Sequence, residues 1–134
     1  MKIVIIGVEP LSLTNFRGDL IKELVSQGHE IITMANDASD AQVSELEEYG
    51  ARYINYSVSR TGLNPYSDIK TLLAFVKCFR LEAPDSVLSY TIKPVIWGSI
   101  ASSIFPRLNF FGMITGLGYA FGKGGVLRWF VQFV

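Results

Sequence analysis

The chain has 134 residues, close to the ~150 of one domain, so it reads as one compact unit or a piece of something larger, and not as a two-domain enzyme. Hydrophobic residues make up 49% and charged ones 18%, which excludes a disordered tail and leaves ample material for a core. Twelve Lys and Arg balance twelve Asp and Glu, without the basic excess of a general nucleic-acid binder; yet residues 1–50 hold nine acids and three bases, and residues 51–134 three acids and nine bases, so one part of the surface should favour anions.

Ile3-Val4-Ile5-Ile6, ended by Gly7, is the continuous β-branched run of a strand covered on both faces, as in the centre of a parallel sheet. Met1-Lys2 before it start like a signal peptide, but Gly7 and Glu9 cut the apolar run short of the ~7–15 residues required, and a cytoplasmic chain is expected. Phe16, Leu20, Ile21, Leu24 and Val25 form a helical stripe, which Gly28 is placed to end in the left-handed conformation. Glu30 to Ala35 reads as a second strand, Ala41 to Tyr49 as a short polar helix closed by Gly50, and Arg52 to Tyr56 as a third strand. A loop follows from Ser57 to Pro65, with Asn64 a helix cap and Pro65 suited to the first turn.

Ile69, Leu72, Leu73, Val76 and Phe79 carry the next helix to Pro84, and Asp85 to Tyr90 is the fourth strand. Cys78, the single cysteine, lies inside that helical pattern; it reads as a buried thiol, has no internal disulfide partner and suits a reducing compartment. Pro94 is expected to open a helix reaching about Phe105, and Asn109 to Ile114 is the fifth strand. Leu108 to Phe121 is too short and too rich in glycine to span a bilayer. Val126 to Val134 is apolar and helical, and its lack of a closing cap or polar tail suggests a sequence cut inside a helix.

Strands alternating with helices at these lengths specify a doubly wound, mostly parallel α/β sheet, Rossmann-like and three-layered, with right-handed crossovers. Ligands in such sheets bind beyond the carboxyl ends of the strands, at the switch point of strand order, so the loops after strands one, three, four and five are the place to look. Three cations gather on that edge: Arg17, set in a first helical turn against the dipole, Arg60 in the loop after the third strand, and Lys93 before Pro94. With exposed helix N-termini they would hold a phosphate or diphosphate; the alternative is three solvated surface charges.

His29, the only histidine, falls on the opposite edge and reads as structural, which removes a histidine metal cluster and disfavours a Ser-His-Asp arrangement. Glu9 and Asp19 are candidate general bases, although Asp19 in a first turn is also what the helix dipole prefers. The glycines from 112 to 125 miss both nucleotide-binding patterns, since Phe121 stands where G-x-G-x-x-G needs glycine and Gly124 where a Walker A needs Ser or Thr. Gly7-Val8-Glu9-Pro10 also lacks the dinucleotide fingerprint, which leaves an NAD-binding role little support.

Four segments carry a resemblance. Thr14-Asn15-Phe16-Arg17-Gly18-Asp19-Leu20-Ile21 with Gly28-His29-Glu30, then Ser59-Arg60-Thr61-Gly62-Leu63-Asn64-Pro65, Tyr90-Thr91-Ile92-Lys93-Pro94-Val95-Ile96-Trp97-Gly98, and Ile114-Thr115-Gly116-Leu117-Gly118-Tyr119-Ala120-Phe121 resemble, in order and spacing, the N-terminal domain of family 4-type glycosyltransferases. The resemblance implies the GT-B fold, in which this domain binds the acceptor and a second, absent domain holds the nucleotide-sugar donor. It implies a retaining transfer that needs no metal or other cofactor, often onto a polyprenyl-diphosphate-linked saccharide in cell-surface polysaccharide synthesis. By position, Gly7, Asn15, Phe16 and Arg17 would border the cleft near the donor diphosphate, and Arg60, Thr61, Tyr90, Thr91, Lys93, Thr115 and Gly116 would line the acceptor side. Relatives often carry a histidine just after the fifth strand, where this chain has Thr115-Gly116, so no catalytic residue is assigned.

Two functional expectations result: the acceptor-binding half of a glycosyltransferase, inactive alone, or a non-catalytic acceptor-binding or membrane-recruiting subunit that works with a separate donor-binding chain. For Val126 to Val134, with Arg128 and Trp129, contact with the inner face of a membrane stands beside an ordinary core position.

Overall fold

The computed structural model describes residues 1–59, 62 and 64–114. Strands β1 (Lys2–Ile6), β2 (Glu30–Ala35), β3 (Arg52–Asn55), β4 (Ser86–Tyr90) and β5 (Asn109–Met113) form one sheet in the order β3-β2-β1-β4-β5, every pair parallel. The expected doubly wound α/β architecture is what forms. The β-branched run is central because β1 pairs with β2 on one side, Ile5 opposite Thr33, and with β4 on the other, Ile5 opposite Leu88.

Both faces of β1 are covered. Val4 and Ile6 pack with Ile32, Met34 and Val87, under Phe75, Cys78 and Phe79 of α4 (Pro65–Glu82) and Ala101 of α5 (Ile92–Ser102). On the other face, Ile3 and Ile5 join Ile31 and Ala35 under Leu13 of α1 (Pro10–Asn15), Ile21 of α2 (Gly18–Ser26) and Leu46 of α3 (Asp40–Glu48). Burying a side chain of this size contributes roughly 1.5–3 kcal/mol, so the alternation of the two faces along β1 fixes its register against slippage.

The helix ends follow local chemistry. Asn64 accepts from the backbone N–H groups of Tyr66 and Ser67 at the start of α4, with Pro65 next, as the sequence indicates. Ser39 and Gln42 make a reciprocal capping box on α3. Gly28, at φ +89°, supplies the left-handed turn after α2.

Three expectations are corrected. The first helix is two: α1 starts at Pro10, and α2 at Gly18 after Phe16 and Arg17, whose backbones (φ −109° and −116°, ψ near zero) break the run. Phe16 therefore leaves the buried stripe and is 76% exposed. Pro94 does not open α5 but is its third residue, still in the first turn where a missing N–H costs nothing. That helix also ends at Ser102, and residues 103 and 104 form a turn before Phe105.

Charges tie the amino edge of the sheet. Arg52 donates to Glu82 (2.7 Å) and Glu30 (3.0 Å), and Lys2 Nζ lies 3.5 Å from Glu82 and 3.8 Å from Glu30. The hydrogen bond from Arg52 holds the Glu82 carboxyl below its usual range. His29 sits on the same edge, its Nδ1 accepting from the Met1 amino group at 3.1 Å, which fits the structural reading.

Cys78 is 5% exposed, and burial pushes its thiol up to about 11. At neutral pH it is enclosed and protonated, so the native chain should be inert to a thiol reagent such as DTNB and become reactive in step with unfolding by urea. Labelling of the native protein at the rate of an exposed thiol would contradict this packing.

Candidate functional site

Strand order reverses between β1 and β4, and the carboxyl ends of these two strands build the site. Gly7, directly after β1, donates its N–H to Met34 O (2.9 Å), and its carbonyl accepts from the buried Tyr56 hydroxyl. A Cβ on Gly7 would run into the hydroxyl and ring of Tyr90, the last residue of β4. The Tyr90 ring fills the place of the missing side chain, and only glycine fits here.

Tyr90 is held from the other side by α1. The Ser12 hydroxyl donates to the Glu9 carbonyl at 2.6 Å, so it accepts from the Tyr90 hydroxyl at 2.7 Å. Burial pushes the Tyr90 phenol up, against the opposing pull of the positive charge of Arg17. The Arg17 guanidinium lies over the Tyr90 ring, 4.7 Å from its centre, a cation–π contact worth about 0.5–2 kcal/mol. One of its terminal nitrogens points to the Phe16 carbonyl (3.4 Å) and the other to Met113 Sδ (3.4 Å), while Nε is buried without a hydrogen-bond partner.

Around this centre Val8, Glu9, Ser12, Phe16, Arg17, Tyr90 and Thr91 line a cleft of about 410 Å³, within the usual size of a small-ligand site. Thr91 is unusual in two respects: its backbone stands at φ +69°, ψ 160°, and its hydroxyl is buried without a partner. The third orphaned polar atom among the described residues, the Ser89 hydroxyl, is on the opposite face beneath Gly98 of α5 and takes no part in the cleft.

The expected site residues sort clearly. Gly7, Phe16, Arg17, Tyr90 and Thr91 come together. Asn15, exposed at the end of α1, is not part of the lining. Arg60, Thr61, Thr115 and Gly116, like Val126 to Val134, lie outside the described residues. Lys93 is not the free surface cation expected: its Nζ pairs at 3.2 Å with Asp68, whose side chain is 9% exposed, and joins the first turns of α5 and α4. Nor is Arg17 a solvated charge, since its guanidinium lies against Tyr90. Ser12 was missed because a lone serine carries no spacing signal; the acid in the first turn of α4 was the available hint to the partner of Lys93. Asp19 stays in the first turn of α2, exposed, as the dipole prefers.

These contacts give opposite expectations for two cations. Lys93→Ala removes the ion-pair partner that Asp68 has among the described residues and should cost about 3–5 kcal/mol in chemical denaturation, whereas Arg17→Ala should cost about 0.5–2 kcal/mol. Gly7→Ala should cost roughly 2 kcal/mol through its collision with Tyr90. Equal, small losses at Lys93 and Arg17 would show that the ion pair is not formed.

No protein-family model matches the sequence. The chain is 25% identical over 134 residues to N,N'-diacetylbacillosaminyl-diphospho-undecaprenol alpha-1,3-N-acetylgalactosaminyltransferase of Campylobacter jejuni, across 100% of this chain and 35% of that protein. Among solved structures, a glycosyltransferase from Rickettsia africae superposes with a TM-score of 0.62 at 16% identity, over 94% of this chain and 34% of that one. A UDP-GlcNAc 2-epimerase from Methanocaldococcus jannaschii also superposes, at TM-score 0.53 and 18% identity, over 84% of this chain and 31% of that one, so the fold by itself does not select a reaction. The chain spans about a third of the length of the relatives it matches. The resemblance carried by the four segments is thus matched independently: the chain is similar along its whole length to a glycosyltransferase and has the Rossmann-like fold of solved glycosyltransferases.

Proposed function

We propose that this chain is the acceptor-binding domain of a glycosyltransferase that moves a sugar from a nucleotide-sugar donor to a lipid-linked saccharide in cell-surface polysaccharide synthesis, and that it does not turn over without a donor-binding domain. The observation that carries this reading is the cleft at the β1/β4 switch point, where the Arg17 guanidinium is held over the Tyr90 ring with only two long contacts, of 3.4 Å, at its terminal nitrogens. A fixed cation on the wall of a cleft attracts an anionic oxygen, and a diphosphate supplies such oxygens. In the transfer, the acceptor hydroxyl oxygen bonds to the anomeric carbon as the bond from that carbon to the diphosphate breaks, the hydroxyl proton leaves to the departing diphosphate, and negative charge grows on the leaving oxygens; a cation held over Tyr90, as Arg17 is, opposes that charge with little reorganisation. The reading needs no metal, because the positive charge comes from the chain itself. The Campylobacter relative's name carries a diphospho-undecaprenol-linked saccharide, which supports the lipid-linked class of acceptor.

A second surface supports contact with the inner face of a membrane. Along α4, Tyr66, Ile69, Leu73 and Leu81 are exposed by 54–71% and alternate with exposed Lys70, Lys77 and Arg80. An apolar and basic face suits anionic headgroups; no helix among the described residues is long and apolar enough to cross a bilayer.

The test is an NMR titration of the purified chain with inorganic pyrophosphate and with UDP-N-acetylglucosamine. Resonances of Val8, Ser12, Arg17 and Tyr90 should move, and Arg17→Ala should weaken binding by roughly 10–100-fold without loss of fold. Binding at another face, or tight saturable binding of NADH in place of the diphosphates, would overturn the assignment.

A further inference from the structure

The loop after β2 is fastened to the cleft wall beside it, and it carries polar groups that the fold leaves unused. Asn36 donates its N–H to the carbonyl of Val8, a residue of the cleft lining, at 3.0 Å, so the loops after β1 and β2 run side by side at the carboxyl edge. Two side chains of β3 clamp the next two residues. Asn55 Oδ1 accepts from the Asp37 N–H at 2.7 Å, and the Tyr53 hydroxyl accepts from the Ala38 N–H at 3.1 Å while it donates to the Ala35 carbonyl at 2.9 Å. A contact of 3.0 Å from the Tyr53 hydroxyl to Asn55 Oδ1 ties the two clamps together. Asp37 is held at φ +56°, in the left-handed region. Glycine would take that turn at the least cost, so what aspartate adds is its carboxylate.

That carboxylate is exposed and makes no hydrogen bond or ion pair among the described residues. Asn55 complements it: with Oδ1 turned to the Asp37 N–H, its Nδ2 group is exposed and meets no acceptor among the described residues. We infer that Asp37 and Asn55 form a saccharide subsite beside the cleft. Two neighbouring ring hydroxyls each donate and accept, so one can donate to the Asp37 carboxylate and the other accept from Asn55 Nδ2. A carboxylate repels phosphate, which assigns the subsite to the uncharged part of a ligand. The inference rests on the proposed function of the cleft, because a diphosphate at Arg17 is what brings a sugar to this place. In the sheet order, β2 stands two strand spacings from β4, about 10 Å, a separation that a sugar and its diphosphate bridge. The ligand class is a sugar diphosphate, a unit shared by nucleotide-sugar donors and by diphospho-lipid-linked acceptors.

The experiment titrates wild type, Asp37→Asn and Asp37→Gly with inorganic pyrophosphate, UDP, UDP-N-acetylglucosamine and N-acetylglucosaminyl diphosphofarnesol, read by NMR. Wild type should bind at least one of the two sugar diphosphates more tightly than pyrophosphate and UDP, and that ligand alone should move the Asn55 side-chain amide resonance. Both variants should lose the preference, by about tenfold, while keeping the fold and the affinity for pyrophosphate. The preferred ligand identifies the source as donor or acceptor. If Asp37→Asn instead tightens every probe alike, the carboxylate acts only through its charge and the inference falls. It also falls, with the cleft assignment intact, if pyrophosphate binds but wild type shows no preference or the variants retain it. If no probe binds at the cleft, both fall.

Discussion

The absence of a side chain at Gly7 organises the carboxyl edge of the sheet. Because no Cβ stands there, the Tyr90 ring can lie against the end of β1, beside the point where strand order reverses. Everything in the cleft is then placed relative to Tyr90. Its hydroxyl reaches α1 through Ser12, its face carries Arg17, and its backbone passes directly into Thr91. The uncharged hydroxyls of Tyr56, Tyr90 and Ser12 hold the geometry, and the Arg17 guanidinium lies on top of it.

Arg17 and Lys93 show how burial and partners decide what a cation can do. Both stand at the start of a helix, but Asp68 pairs with Lys93, and the pair fastens α5 to α4. Arg17 rests on an aromatic ring and two weak contacts at 3.4 Å, which fix its position without neutralising it. The first arrangement builds the frame; the second leaves a charge for a ligand.

The fold was legible because its signal is regional. A β-branched run, Gly28 and the Asn64-Pro65 pair each read correctly, and with the alternation of strands and helices they led to the parallel sheet and the edge on which a site must lie. The cleft was legible only in part. Arg17, Tyr90 and Thr91 stood out through their segments, but the break at Phe16 and Arg17 depends on how α1 and α2 pack and leaves no mark in the apolar period. The Lys93–Asp68 pair joins residues 25 apart in sequence, and the unpaired state of the Thr91 hydroxyl is a property of its surroundings; neither can be written in a local pattern.

The two edges of the sheet differ in kind. At the amino edge the fastening is ionic, from Lys2, Glu30, Arg52 and Glu82, largely in contact with solvent. At the carboxyl edge it is a chain of neutral hydroxyl contacts around Gly7, beside the largely buried Lys93–Asp68 pair. Mobile ions screen the first over a Debye length of about 8 Å at physiological strength and act little on the second. Rising ionic strength therefore loosens the end of the molecule remote from the cleft while the cleft keeps its shape, and in strong salt the long-range attraction of Arg17 for an anion fades before the geometry that positions it.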